Sequence, residues 1–195
     1  MNTERKSLGI DIGSVSVKLV LMDEGKVAKE VYRRFHGGPF ETLYELLNDQ
    51  FDELKGQSFP LGVTGIGGKT AQSILGGKFF GEIASLARGN YHTAPHVRTV
   101  IEMGGEDSKL LILDGKQKTI IDFAMNAQCA AGTGSFLDQQ AGRLMISIED
   151  EFGQLALKSK NPPRIAGRCS VFAKSDMIHL QQIATPDYDI VDHVG

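Results

Sequence analysis

The sequence contains an internal repeat, and this repeat restricts the possible folds more than any other feature. Residues 11–23 have the sequence DIGSVSVKLVLMD, and residues 102–114 have the sequence EMGGEDSKLLILD. Aligned without a gap at an offset of 91 residues, both contain an acid, an apolar residue, a glycine, a turn-like stretch, a lysine, a leucine and a closing aspartate. A strand–turn–strand pattern arises by chance more easily than this full set of matches. The repeat therefore predicts two related domains, each beginning with an acid-bearing hairpin.

The segments around the repeat predict alternating strands and helices. Residues 8–27 indicate a strand, a tight turn, a second strand and a further turn at Glu24-Gly25. The segment PFETLYELLNDQFDELKG has apolar residues at three- and four-residue spacing, which predicts an amphipathic helix ended by Gly56. We expect the first domain to span residues 1–97 and the second residues 98–195. The remaining predicted elements are a strand in 59–65, short helices in 68–77 and 81–91, and a strand in 97–103.

Charge and composition exclude several classes of protein. The net charge is −3 and no basic cluster occurs, so nucleic acid and anionic membranes are poor candidates as partners. The longest apolar runs, LVLM and LLIL, are far too short to span a bilayer. The first residues, MNTERKS, lack an apolar signal core, so we expect a cytoplasmic protein. Two cysteines in 195 residues do not suggest a disulfide scaffold.

The turns of the two repeats have residues that suit an anion. Small residues allow close approach, so Gly13, Ser14, Val15 and Ser16 can direct successive backbone N–H groups at a phosphate. In the second repeat the stretch Gly104-Gly105-Glu106-Asp107 can do the same. Two such loops facing across a cleft would bind a polyphosphate.

Acidic residues accompany both loops. A carboxylate such as Asp11, among apolar and glycine neighbours, is costly unless something pairs with it. We expect Asp11, Glu102 and Asp107 to hold Mg²⁺ directly or through its waters, because Mg²⁺ keeps much of its hydration. Lys18 would help to neutralise phosphate. The simpler alternatives are that Asp11 caps a turn and that Lys18 only ends a hairpin.

The two cysteines, Cys129 and Cys169, both precede predicted helices. A disulfide between them could contribute about 4 kcal/mol in the chain-entropy model, but a reducing cytoplasm would not preserve it. Two inert buried thiols are one alternative, and a metal centre is the other. A 4Fe–4S cluster generally needs four thiolates, which two chains related by a twofold axis would supply. The positive ends of helices favour thiolates and an anionic cluster, so helix entrances suit a cluster at a dimer interface.

Several motifs resemble a known family. The stretches IDIGSVSVK and IEMGGEDSK are similar to the two phosphate motifs of the actin, Hsp70 and sugar-kinase superfamily. The stretches EMGGEDSK, NAQCAAGTGSFLD and GRCSVFAKSD, in that order, resemble activators of 2-hydroxyacyl-CoA dehydratases and ATPase subunits of benzoyl-CoA reductase. The resemblance covers essentially the whole chain. It implies an α/β fold with two ribonuclease-H-like domains of the actin-like ATPase type, the second truncated and carrying the cysteines.

The resemblance also implies a function. Such a protein is an ATP-hydrolysing iron–sulfur activator that gives a low-potential electron to a partner acyl-CoA dehydratase or reductase. Its cofactors would be ATP or ADP, Mg²⁺ and a 4Fe–4S cluster, which Cys129 and Cys169 of two chains bind in a homodimer. In this family the loop Gly132-Thr133-Gly134 lines the nucleotide cleft, and glycines there would leave the following helix open to an anion. A plain glycine-rich helix cap is the alternative. We expect Leu137, Ala141, Leu144 and Ile148 to form the buried stripe of that helix.

The sequence departs from the family at a few positions. Glu102 stands where many activators have Asp, Glu106 where many have Gln, and Lys174 where an acid is common. A carboxylate at Glu106 would repel phosphate unless Mg²⁺ or a water intervened. The family continues beyond the equivalent of residue 195 with a glycine-rich adenosine-binding segment, so we expect a fragment. The alternative functions are a sugar-kinase-like phosphotransferase, with Asp107 as the base, and a degenerate module without catalysis.

Overall fold

A computed structural model describes residues 6–35, 37–126, 133–167 and 169–194. The chain forms two compact units. The first contains the described residues up to Arg98 together with Leu111–Ile121, and the second contains Thr99–Leu110 together with the described residues from Asp122 onwards. A domain boundary between residues 97 and 98 stays a prediction.

Strands and helices alternate along the chain. The longest helix in the described part of the chain has 13 residues, and no helix there is both long and apolar enough to cross a bilayer. The strands are β1 (Lys6–Ile12), β2 (Ser16–Asp23), β3 (Lys26–Arg34), β4 (Leu61–Thr64), β5 (Lys78–Phe79), β6 (Thr99–Met103), β7 (Ser108–Asp114) and β8 (Thr119–Asn126). The helices are α1 (Pro39–Gln50), α2 (Gly68–Leu75), α3 (Glu82–Thr93), α4 (Gly134–Leu144), α5 (Phe152–Ala156), α6 (Ser170–Gln182) and α7 (Asp187–Val194).

The first unit contains a five-stranded sheet with the order β3-β2-β1-β4-β5. The predicted hairpin is confirmed, since β1 and β2 are antiparallel, and β4 lies parallel to β1 on its other side. Glu24 and Gly25 have φ angles of 51° and 77°, as a tight turn between β2 and β3 requires. Because side chains alternate between the faces of a strand, one face is consistently apolar and buried. This core contains Leu8, Ile10, Ile12, Val17, Leu19, Leu21, Leu43 and Leu46.

Helix α1 is shorter than the sequence predicted. It ends at Gln50 and does not extend to Gly56, because Phe51 has a φ angle of −129° and starts a separate 3₁₀ turn at Asp52–Leu54. That turn keeps Phe51 and Leu54 buried. Apolar spacing continues through the change of conformation, so the pattern alone could not place the end of the helix.

The second unit combines β6 and the start of β7 with helices α4 to α7. Helix α4 ends at Leu144, since Met145 adopts a left-handed φ of 56°, and Ile148 therefore lies beyond the helix. The buried face of α4 also differs from the predicted stripe, because Leu137 is only partly buried. The buried residues of α4 are Phe136, Gln140, Ala141 and Leu144. They belong to a core to which α5, α6 and α7 contribute Phe152, Ala173, Met177, Ile190 and Val191.

The β6–β7 hairpin exposes a face that is buried in the first hairpin. Ile101 and Met103 are exposed, Ile101 by 75%. The residues 91 positions earlier, Ile10 and Ile12, are almost completely buried. The repeat therefore preserves the strand pattern but not the environment of this face among the described residues.

Candidate functional site

The two hairpins have the same turn geometry. The Gly13 N–H donates to the Ser16 carbonyl at 3.0 Å, and the Gly104 N–H donates to the Asp107 carbonyl at 2.8 Å. Both donors and both acceptors are related by the offset of 91 residues. These hydrogen bonds use the N–H groups of Gly13 and Gly104, so these two groups serve the turns themselves.

In the first hairpin the predicted carboxylate is paired with the predicted lysine. Asp11 of β1 lies opposite Lys18 of β2, and the Lys18 Nζ donates to Asp11 Oδ2 at 2.9 Å. Both side chains are partly exposed, at 34% for Asp11 and 39% for Lys18. Ser14 and Val15 form the partly exposed tip of the turn, whereas Ser16 is buried.

The glycine-rich loop that follows β4 packs against Asp11, and no motif of the sequence points to this contact. Gly65 follows β4 with a φ of 87°, and a Cβ added there would overlap both the Asp11 carboxylate and the Ile12 carbonyl. The Gly67 N–H donates to the Ile12 carbonyl at 3.0 Å. The strand prediction for 59–65 placed Gly65 at a strand end, but only the pairing of β4 beside β1 shows which residue it approaches.

In the second hairpin one lysine holds both predicted carboxylates. The Lys109 Nζ lies 3.0 Å from Glu102 Oε2 and 2.7 Å from Asp107 Oδ1, and its side chain is only 6% exposed. A Cβ on Gly104 would lie 2.5 Å from Asp107 Oδ1, so the glycine is required for this arrangement. Glu106 is exposed at the turn.

The start of helix α4 is bound to the second hairpin. The Gly134 N–H donates to the Gly104 carbonyl at 2.9 Å, and the Ser135 N–H donates to the Gly105 carbonyl at 2.8 Å. The next N–H group, that of Phe136, donates to the carbonyl of the buried Thr133 at 3.2 Å. The hairpin carbonyls thus satisfy two donors that a helix otherwise leaves free, and the role of Thr133 and Gly134 in a nucleotide cleft stays a prediction. Gly132 lies outside the described residues.

Cys169 stands immediately before helix α6. Its backbone is extended, with φ −129° and ψ 116°, and its carbonyl accepts the first helical hydrogen bond from Ala173 at 2.9 Å. The thiol is free, partly exposed and makes no capping hydrogen bond from its side chain. A free thiol at a helix entrance has the chemistry of a metal ligand. Cys129 lies outside the described residues, so the sequence pattern alone supports its pairing with Cys169.

Within the described ranges, no three side chains of Cys, His, Asp or Glu gather closely enough to hold a metal ion. The carboxylates of Asp11, Glu102 and Asp107 instead lie beside lysines. Mg²⁺ usually keeps several water and phosphate oxygens as ligands, so its binding does not require three such side chains at one point.

Sequence comparison identifies relatives along nearly the whole chain. The chain is 34% identical over 189 residues to the (R)-2-hydroxyglutaryl-CoA dehydratase activating ATPase of Acidaminococcus fermentans, covering 95% of this chain and 71% of that protein. It is 35% identical to the 2-hydroxyisocaproyl-CoA dehydratase activator of Clostridioides difficile, covering 91% and 67%. One subunit of the benzoyl-CoA reductase of Thauera aromatica is 29% identical, with 88% and 62% covered. The chain thus spans about two thirds of the length of these relatives.

Solved structures share the fold. The activator of the 2-hydroxyisocaproyl-CoA dehydratase from Clostridium difficile with bound ADPNP matches with a TM-score of 0.85 and 31% identity, over 97% of this chain and 70% of that chain. Component A of the Acidaminococcus fermentans (R)-2-hydroxyglutaryl-CoA dehydratase also gives 0.85, with 30% identity over 97% and 73%. These matches confirm the α/β fold of the actin-like ATPase type. Residues 8–194, which include both hairpins and both cysteines, match one family over their full extent, and the chain belongs to the BadF/BadG/BcrA/BcrD ATPase family.

Proposed function

We propose that this chain is the nucleotide-binding and cluster-bearing part of an ATP-hydrolysing activator. It would donate a low-potential electron to a 2-hydroxyacyl-CoA dehydratase or a benzoyl-CoA reductase type enzyme. The observation that carries the nucleotide part is the repeated hairpin, in which an acid and a lysine flank the same hydrogen-bonded turn in both copies. Relatives named as dehydratase activators and as part of a benzoyl-CoA reductase support the choice of partner enzyme.

The hairpin turns would bind the phosphates of ATP or ADP. Gly13 and Gly104 use their N–H groups within the turns, so the N–H groups near Ser14, Val15 and Gly105 are the proposed phosphate donors. Their residues are small or sit at a turn, where a ligand can approach the backbone. Lys18 adds a partly exposed positive charge beside the first turn.

The carboxylates would hold Mg²⁺ beside those phosphates. Asp11, Glu102 and Asp107 are the proposed holders, and bound Mg²⁺ would neutralise phosphate charge. The exposed Glu106 lies within the second turn, where its charge is compatible with phosphate only through Mg²⁺ or a water. Hydrolysis would then depend mainly on positioning and on charge neutralisation by these residues.

The cysteines would bind a 4Fe–4S cluster, which supplies one-electron chemistry when it is present. Cys169 fits this role because its thiol is free, partly exposed and placed at the entrance of α6. Each chain offers two thiolates, so a homodimer would complete the four ligands. Val171 and Phe172, which follow Cys169 closely, are 68% and 66% exposed, and such apolar side chains are suited to an interface with a second copy.

A backbone connection supports coupling between the two sites. The carbonyls of Gly104 and Gly105, in a proposed phosphate loop, accept hydrogen bonds from the first N–H groups of α4. Cys129 precedes this helix in the sequence by only a few residues. If the loop has two conformations and the nucleotide binds one of them more tightly, nucleotide binding would favour that conformation. Because α4 is hydrogen-bonded to the loop, its position would change with it.

Anaerobic purification and reconstitution with iron and sulfide test this function. We expect a brown protein with about two iron atoms per chain, an electron paramagnetic resonance signal after reduction, and Mg²⁺-dependent ATP hydrolysis. The cytoplasm, a reducing compartment, is the location that suits this chemistry. A colourless protein that transfers phosphate to a sugar would contradict the proposal and favour the kinase alternative. A protein with neither cluster nor hydrolysis would favour the degenerate module.

A further inference from the structure

The segment that leads into helix α6 is bound back onto the same helix. Asp176, within α6, accepts a hydrogen bond from the Ala166 N–H at 2.9 Å. The preceding residue, Ile165, is buried in the core cluster that contains Ala173 and Met177 of α6. One polar and one apolar contact thus hold two consecutive residues of this segment.

These contacts fall on one side of the helix. Residues three and four positions apart are neighbours on a helix surface, so Ala173, Asp176 and Met177 lie on a common face. Cys169 follows Ala166 by three residues, and its carbonyl accepts the Ala173 N–H at 2.9 Å. The cysteine therefore lies between the anchored Ala166 and the first hydrogen bond of the helix.

We propose that Asp176 is a positioning residue for Cys169. This inference rests on the proposed role of Cys169 as a cluster ligand. Asp176 would act through the backbone of Ala166, and its carboxylate is a strong acceptor because hydrogen bonds to charged groups exceed neutral ones in strength. Residues that orient metal ligands without touching the metal commonly decide how firmly the metal is held.

The chain offers a matched control. Asp189 in α7 is also partly buried, lies in the same unit and accepts a hydrogen bond from the Ser159 hydroxyl at 2.7 Å. Its hydrogen bond does not involve the segment before α6. Asp189→Ala removes a comparable carboxylate contact and separates a loss of local stability from a loss of cysteine positioning.

A spin label on Cys169 measures the positioning without any cluster. In a Cys129→Ser background, we expect the nitroxide spectrum of Asp176→Ala to narrow, since the labelled segment becomes more mobile. Asp176→Asn keeps an acceptor oxygen, so its spectrum should match the parent, as should that of Asp189→Ala. An unchanged spectrum in Asp176→Ala would overturn the proposal. If thermal melting shows that Asp176→Ala is unfolded, Asp176→Leu decides, because it has no acceptor oxygen but keeps the size of the side chain: a mobile label supports the proposal and an immobile one overturns it.

Iron loss tests the consequence in the reconstituted protein with both cysteines present. We expect a chelator to remove iron roughly 10- to 100-fold faster from Asp176→Ala than from the parent, with Asp176→Asn and Asp189→Ala close to the parent. Equal rates for Asp176→Ala and the parent would contradict the positioning role. If the parent itself binds no iron, the proposed function fails, while the spin-label result still decides whether Asp176 positions Cys169.

Discussion

Lys18 and Lys109 occupy equivalent positions of the repeat but differ strongly in exposure. The Lys109 side chain is 6% exposed between Glu102 and Asp107, whereas Lys18 is 39% exposed beside Asp11. Removing a buried charge leaves its partners uncompensated, so we expect Lys109→Met to lower the free energy of unfolding by about 2–4 kcal/mol. Lys18→Met, at a surface pair, should cost no more than about 1 kcal/mol. Urea unfolding of both variants measures the difference, and equal losses would contradict this account.

The glycines of the two turns also differ. A Cβ on Gly104 would lie 2.5 Å from Asp107 Oδ1, but on Gly13 the nearest atoms are 3.4 and 3.5 Å away. We expect Gly104→Ala to displace the Asp107 carboxylate and to slow ATP hydrolysis about 100-fold, since displacements near 1 Å have such effects. Gly13→Ala should have a much smaller effect. The rates of phosphate release by the two variants test this prediction. A slower rate for Gly13→Ala than for Gly104→Ala would contradict it.

Substitution of Asp11 distinguishes a structural role of this residue from a catalytic one. Its pair with Lys18 is partly exposed, so Asp11→Ala should change the free energy of unfolding by less than about 1 kcal/mol. As a proposed holder of Mg²⁺, Asp11 should nevertheless be required for hydrolysis, and we expect a loss of about 100- to 1,000-fold. Steady-state hydrolysis and thermal melting of the same variant test this together. Normal turnover would show that the aspartate only caps the turn.

At the scale of elements, the turn between β7 and β8 makes the stability of the protein depend on pH. The Asp114 carboxylate accepts backbone N–H groups of Gln117 and Lys116, which holds its pKa below the ordinary value of 3.8. A lowered pKa means that this contribution to stability is present above the unfolded pKa and is lost as the pH falls through the folded pKa. We expect the free energy of unfolding of Asp114→Asn to depend less on pH in the acidic range than that of the parent. The two free energies should differ most near neutral pH. Urea unfolding at several pH values between neutral and acidic measures these free energies. Parallel plots of free energy against pH for the two proteins would contradict the prediction.

The sequence predicted elements better than it predicted their ends and their mutual contacts. Apolar alternation and the repeat located the β1–β2 and β6–β7 hairpins, because these patterns depend on local residues. The end of α1 depends on a backbone change at Phe51, where the apolar spacing continues. The approach of Gly65 to Asp11 depends on the order of strands in the sheet, which no short motif specifies.

In the candidate site, too, the local features were predictable from the sequence and the burial of side chains was not. The acid and the lysine of each hairpin stand out because the repeat preserves them, and both pairs form hydrogen bonds in the structure. The burial of Lys109 was not predictable, since the matching residue Lys18 is partly exposed. Burial depends on neighbours from distant parts of the sequence, which the repeat does not describe.

At the scale of the whole molecule, the cysteines predict an all-or-none loss of the cluster. In a symmetric dimer each substitution appears in both chains, so Cys169→Ser or Cys129→Ser removes two of the four proposed thiolates. We expect either variant to lose nearly all cluster iron and electron transfer, while ATP hydrolysis partly survives because the hairpins are unchanged. Iron content, reduced-state spectra and phosphate release of the two variants provide the test. If a variant keeps its cluster, the substituted cysteine is an inert thiol and not a cluster ligand.

The junction between the second hairpin and α4 is made of main-chain atoms alone, from Gly104 and Gly105 to Gly134 and Ser135. No side chain supplies a donor or an acceptor to these two hydrogen bonds, so Ser135→Ala would leave both of them intact. Only chemistry that alters the peptide group can remove them. Proline at position 135 would delete one donor, and an ester in place of that peptide bond would delete it with less steric change. Side-chain truncation would therefore pass over this junction, whereas proline substitution or protein semisynthesis can address it.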